Sequence, residues 1–256
     1  MMSANSEFKN LIEIMQRLRK ECPWDRQQTP QSLRQYILEE AYETVEAIDG
    51  QDWDELKKEL GDLLLQIVFQ AEIAAETQRF DLGEVIKHIN EKLIRRHPHV
   101  FGDVKVNNAE DVKENWEQIK VQQENRKSLL EGVPRNLSGL LRAQRLQDKA
   151  SQVGFDWEEV HGILEKMKEE IVELEDAIEE KNPEEIESEI GDIIFSVVNL
   201  ARFRKVSAED ALRKTINKFI SRFQYIEEKL AKMGRTVYQS SLQEMDQLWE
   251  ESKNHL

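Results

Sequence analysis

A single cysteine, Cys22, stands in 256 residues, so no intrachain disulfide can form and a cysteine-rich zinc site is excluded. Proline and glycine are scarce at 5 and 10, about half their usual combined share, which disfavours a β-sandwich, a collagen-like chain and a flexible Gly-rich protein. No stretch approaches the roughly 18 consecutive apolar residues of a membrane span, and MMSANSEFKN has neither the basic nor the apolar region of a signal peptide. A soluble, cytoplasmic protein is the expectation. No glycine is followed by lysine, so the GxxxxGK[ST] phosphate loop is absent and any phosphate must be held by metal and side chains. Positive charge is in deficit, 36 Lys and Arg against 51 Asp and Glu, for a formal net charge of −15. Such a balance repels phosphate backbones and anionic lipid, so neither nucleic acid nor membrane is an expected partner. A polyanionic substrate would need a bridging cation.

What is present is helical periodicity. Between the prolines at 23, 30, 98, 134 and 183, apolar residues recur at three- and four-residue spacing. Leu33, Tyr36, Ile37, Ala41, Val45 and Ile48 mark one amphipathic helix, with Gly50 just past its end. Asp52 is the expected cap of the next, with Glu55 as capping-box partner, and the apolar run Leu56 to Ala71 carries that helix to about residue 78. Ile163, Met167, Ile171, Leu174 and Ile178 repeat the pattern, followed by Asn182, Pro183 and Glu185 as cap, first-turn proline and box partner. Gly132 and Pro134 break the pattern, and a helix from about Leu137 to Ser151 follows. The expected organisation is an N-terminal domain over 1–127, a linker over 128–136 and a C-terminal domain over 137–256.

An internal repeat supports two domains. At a shift of 130, Glu40, Glu43, Glu59 and Asp62 fall on Glu170, Glu173, Glu189 and Asp192. Lys92 and Arg96 fall on Lys218 and Arg222 at a shift of 126, and Trp116 with Lys120 on Trp249 with Lys253 at 133. Loop lengths drift while the charged positions keep their local spacing.

The acids carry the chemistry. Glu170 and Glu173 project from one helix face, as do Glu189 and Asp192 from the next, and a short hairpin lets the faces meet. Converging carboxylates repel strongly at low dielectric unless a cation sits among them or some are protonated. Oxygen-only ligands select a hard ion, Mg²⁺ or Mn²⁺. The alternative is ordinary solvated helix decoration. Against it stands the apolar sequence that follows each second pair, LLLQIVF after Asp62 and IIFSVV after Asp192. Gly61 and Gly191 interrupt helix interiors at a cost of about 1 kcal/mol each, which close approach of a helix, metal or ligand would justify; tight helix packing alone is the competing explanation.

These residues resemble the MazG nucleoside triphosphate pyrophosphohydrolases in their two-domain form. The resemblance rests on RLRKECPWDRQQTPQSLRQYILEEAYE (Arg17 to Glu43), KKELGDLLLQIVFQAEIA (Lys57 to Ala74), RRHPHVFGD (Arg95 to Asp103), VGFDW (Val153 to Trp157) and ESEIGDIIFSVVNLAR (Glu187 to Arg202). It implies an all-α fold of two tandem helical-bundle domains that assembles as a homodimer. It implies hydrolysis of nucleoside triphosphates to monophosphate and pyrophosphate, with Mg²⁺ on the ExxE and ExxD acids. Glu170, Glu173, Glu189 and Asp192 are then the catalytic and metal-binding set, with Glu40, Glu43, Glu59 and Asp62 as a second set. The two-domain form points to the C-terminal half as the principal site.

Lys218 and Arg222, one turn apart, would offer cations to phosphate oxygens, and Lys253 another; a solvated basic face is the alternative. Trp249 would stack on a base of any identity, against the rival reading of a core or dimer-interface tryptophan. Lys166 resembles a substrate-contacting position in the family, and on sequence alone is a helix-surface lysine. Lys92, Arg96, Trp116 and Lys120 are the N-terminal counterparts. Trp24 is read as packing and Cys22 as a buried thiol without a base partner. The one Glu-x-x-His pair, Glu158 and His161, has no counterpart, which argues against a di-iron bundle, and His97 with His99 lacks a third ligand. A rival of another class is a non-catalytic helical protein whose acidic hairpins bind a partner or a structural cation.

Overall fold

The computed structural model describes residues 3–106 and 128–255, and among these it contains helices and no strand. The chain divides into two compact units, Met1–Ile119 and Lys120–Leu256. The first holds α1 (Ala4–Glu21), α2 (Pro23–Gln27), α3 (Arg34–Asp49), α4 (Trp53–Glu76), α5 (Leu82–Arg96) and α6 (Pro98–Phe101). The second holds α7 (Gly139–Ser151), α8 (Val160–Glu180), α9 (Pro183–Phe203), α10 (Ala208–Lys232), a 3₁₀ turn and α11 (Leu242–Ser252).

In each unit a helical hairpin is the centre, α3 against α4 and α8 against α9. The turns are built alike. Gln51 and Lys181, at a shift of 130, adopt left-handed backbone with φ of 53° and 57°. The next residues, Asp52 and Asn182, then donate N–H back to the carbonyls of Ala47 and Ala177 at 3.0 and 3.2 Å. Gly50 stands just past the end of α3 as expected, right-handed at φ −71°, and the left-handed residue is Gln51. One expectation is corrected. The capping boxes are only half formed: Asp52 and Asn182 accept from the backbone of the first turn, but their own N–H groups already serve the preceding helix, so Glu55 and Glu185 have no donor to reach back to. A complete box forms at α5, between Asp81 and Glu84.

Met15, Leu33, Val68, Phe69 and Ile73 form the core of the first unit. Beside it Arg19, only 8% exposed, donates through Nε to Glu76 at 2.7 Å and through Nη1 to the Gln28 carbonyl at 3.2 Å, tying α1 to the end of α4. In the second unit, Ile226, Leu230 and Leu248 pack α10 on α11, while Val198 and Ile163 are buried at the hairpin. Among the described residues no helix is long and apolar enough to cross a membrane.

Candidate metal and substrate site

The hairpins bring the acids together. Ligand oxygens of Glu170, Glu173 and Glu189 lie within 4.8 Å of one another, and those of Glu40, Glu43 and Glu59 do the same in the first unit. Three carboxylates at that separation match the oxygen-only donor set of a hard divalent ion. The fourth acid of each expected tetrad stands outside the trio: Asp192 is exposed and lines an adjoining cleft together with Lys166 and Glu170.

The electrostatics of the clusters are those of crowded carboxylates, which a proton or a cation relieves. Burial, followed by the charges of Glu173, Asp192 and Glu170, holds the Glu189 carboxyl above the usual carboxylate range. Burial with Asp62 and Glu43 raises Glu40, and burial with Glu43 raises Glu59, whose Oε2 is buried without a hydrogen-bond partner. The folded chain therefore binds these protons more tightly than the unfolded chain. Their contribution to stability is present in acid and is lost as pH rises through the raised folded values. A divalent ion competes for the same oxygens. Added Mg²⁺ or Mn²⁺ is thus expected to raise the melting temperature more at about pH 8 than at about pH 5. Equal shifts at both would place the ion elsewhere.

A cleft of 760 Å³ flanks the second cluster. Its walls include Leu146, Ala150, Phe155, Trp157 and Phe195, and its polar groups include Gln147, Ser196 and Asn199. Arg202 donates to both oxygens of Asp156, with Nη1 at 3.0 Å, anchoring the VGFDW segment to α9. The Trp157 indole sits where a side chain at residue 162 would be: a Cβ on Gly162 would lie 2.5 Å from its Cε3. Breaking a buried ion pair typically costs about 3 kcal/mol. Arg202→Ala is expected to lower stability by about that amount, because its side chain is 8% exposed, and to raise KM by freeing the segment; steady-state kinetics with thermal melts check both.

A family model described as the MazG nucleotide pyrophosphohydrolase domain matches residues 28–101 and 158–226, one segment in each unit. The chain belongs to this family. It is 46% identical over 257 residues, 99% of this chain and 98% of the relative, to the nucleoside triphosphate pyrophosphohydrolase/pyrophosphatase MazG of Thermotoga maritima. It is 41% identical to the nucleoside triphosphate pyrophosphohydrolase of Escherichia coli K12, covering 97% of each chain. A protein of Bacillus subtilis named YabN is 48% identical over 96% of this chain, which spans 52% of that relative.

The two MazG repeats differ beside their acids. Lys166 pairs with Glu169 at 2.8 Å and with Glu170 at 2.9 Å, and both carboxylates hold its ammonium above the usual lysine range. At a shift of 130 the first repeat has Tyr36, an uncharged ring packed edge-on against Trp24 at 6.3 Å. Trp24 itself is 52% exposed, and Cys22 is half-buried, more open than the buried thiol expected, because it occupies the junction of α1 and α2. Gly61 and Gly191 are not tight packing positions: an added Cβ would meet nothing within 4 Å at either.

The expected phosphate and base contacts lie away from the cleft lining. Lys218 is exposed on α10. Arg222 lies over the Trp249 ring at 5.4 Å, with its Nε buried and unpartnered. Trp249 also meets Phe219 at 5.3 Å and packs on the α10–α11 core. Lys253 pairs with Glu250. In the first unit Lys92 and Arg96 lie on α5, while Trp116 and Lys120 fall outside the described residues. The cleft residues Gln147, Asn199 and Arg202 had no periodic signal; the family-like stretches VGFDW and ESEIGDIIFSVVNLAR, the second of which contains Asn199 and Arg202, marked their neighbourhood.

Proposed function

We infer that this chain is a nucleoside triphosphate pyrophosphohydrolase that cleaves the anhydride between the α- and β-phosphates of NTPs and dNTPs, with Mg²⁺ as its ion and Mn²⁺ as substitute. The convergence of Glu170, Glu173 and Glu189 beside a cleft that also holds Lys166 and Asp192 carries this reading. A divalent ion on these acids would offset the triphosphate charge that a protein of net charge −15 repels and make a water more acidic. The carboxylates orient the water and accept its proton, its oxygen bonds to phosphorus as the bridging P–O bond breaks, and pyrophosphate departs with the monophosphate left behind. Lys166, already beside Glu170, offers an N–H to phosphate oxygens. Lys218, Arg222 and Lys253 add cations from α10 and the chain end, with the Trp249 ring supporting the Arg222 guanidinium; the unpartnered Nε of Arg222 supports a ligand there.

The C-terminal unit is the principal catalytic domain on this reading, since Lys166 stands beside Glu170 where the first repeat has Tyr36. A homodimer is proposed on the apolar side chains that α8 and α9 leave exposed, among them Ile171, Ile190, Ile194 and Val197. The role is control of nucleotide pools or removal of abnormal nucleotides in the cytoplasm. Incubation of the purified protein with a panel of NTPs and dNTPs, in Mg²⁺ or in EDTA, tests the reading. Turnover abolished by EDTA is expected. No turnover of any nucleotide would favour a non-catalytic binding protein.

A further inference from the structure

Gln147 is buried, 8% exposed, on α7 at the wall of the cleft. Its Nε2 donates to the Phe195 carbonyl on α9 at 2.9 Å. A carbonyl can only accept, so this bond orients the amide and leaves Oε1 as the outstanding group. That oxygen has no hydrogen-bond partner. Buried polar atoms in folded proteins are nearly always paired, and an orphan beside a ligand cleft signals a partner that arrives with the ligand. Asn199, also in the wall, is oriented in the opposite sense: its Oδ1 accepts from Arg202 Nε at 3.0 Å, which leaves its amide N–H groups to donate. Phe155, Trp157 and Phe195 also line the cleft, and aromatic side chains take a flat heterocycle of any identity on their faces.

We propose that Gln147 reads the substrate's nucleobase, its Oε1 accepting an N–H from the edge of a base held among Phe155, Trp157 and Phe195, with Asn199 donating to a neighbouring acceptor of the same edge. This rests on the nucleoside triphosphatase reading of the adjoining acids and adds to it where the base lies and what is recognised. An N–H beside an acceptor is offered by adenine and cytosine through their exocyclic amines, and by guanine, uracil and thymine through ring N–H groups. The cleft therefore accepts every common base and rejects heterocycles that present acceptors alone. It also separates base recognition from Trp249, whose ring lies beneath Arg222.

The test is a cycle on protein and ligand together. Calorimetric titration in Mg²⁺ measures binding of the α,β-methylene triphosphates of adenosine and cytidine, which resist cleavage, against counterparts lacking the exocyclic amine. In the native chain, loss of the amine is expected to weaken binding at least about 10-fold. In Gln147→Leu the same loss is expected to cost nothing. Equal penalties in the two proteins, or none in the native chain, would overturn the assignment; the native comparison stands even if the variant fails to fold, and Gln147→Met provides a second replacement of similar volume. If the native protein binds none of these nucleotides and turns over no NTP, the triphosphatase reading falls and the base site with it. Turnover of NTPs without amine dependence overturns the Gln147 assignment alone.

Discussion

Glu189→Gln is expected to fold as the native chain does and to lose metal-dependent turnover by more than the roughly 100-fold typical of outer-shell partners of a metal site. The substitution keeps shape and removes charge from a group whose oxygen lies within 4.8 Å of those of Glu170 and Glu173. Stability should move the other way. Burial and three neighbouring acids hold the native carboxyl above its usual range, so an uncharged amide relieves repulsion that the metal-free protein must otherwise accommodate. In EDTA at neutral pH the melting temperature of the variant should equal or exceed that of the native chain, while its gain on adding Mg²⁺ should shrink. Full turnover in this variant would remove Glu189 from the mechanism. A lower melting temperature in EDTA would contradict the electrostatic account of the cluster.

The second large effect is a contrast between the repeats. Glu170→Gln is expected to lower kcat/KM by more than about 100-fold, whereas Glu40→Gln should leave it within about 3-fold of native. Both residues open an ExxE pair and both belong to converging trios, so composition and spacing do not separate them. Their surroundings do. Glu170 is 5% exposed, has Lys166 at 2.9 Å and borders the aromatic cleft. Glu40 has Tyr36 one turn before it. An acid trio with a tyrosine in place of that lysine can take up an ion yet offers one fewer group to triphosphate oxygens. Steady-state kinetics of the two variants, with circular dichroism to confirm folding, decide the matter. Full activity in Glu170→Gln would overturn the C-terminal assignment.

Much of this arrangement was legible in the sequence because it is local. Carboxylates three residues apart on a helix share a face whatever the tertiary structure, and Asp52 and Asn182 announce where the second helix of each hairpin starts. The trios follow from those two facts. The cleft does not, since it is assembled from distant pairs: Gln147 with the Phe195 carbonyl, Asp156 with Arg202. No periodicity encodes such contacts. Gly162, just ahead of the apolar pattern that opens at Ile163, likewise answers to a tertiary contact, the Trp157 ring against its backbone. Lys166 could be placed one turn from Glu170 by spacing, but only the structure shows that it pairs with both Glu169 and Glu170. Gly61 and Gly191 invite a packing explanation that the structure does not bear out. The capping boxes failed for a physical reason as well, since a tight hairpin commits the N–H of the capping residue to the helix before it.

The most direct test of the central claim is to identify the products. Purified protein incubated with a nucleoside triphosphate and Mg²⁺ should release monophosphate and pyrophosphate in equal amounts, with no diphosphate intermediate and no reaction in EDTA. Accumulation of diphosphate and inorganic phosphate would place the cleavage at the wrong anhydride and contradict the account.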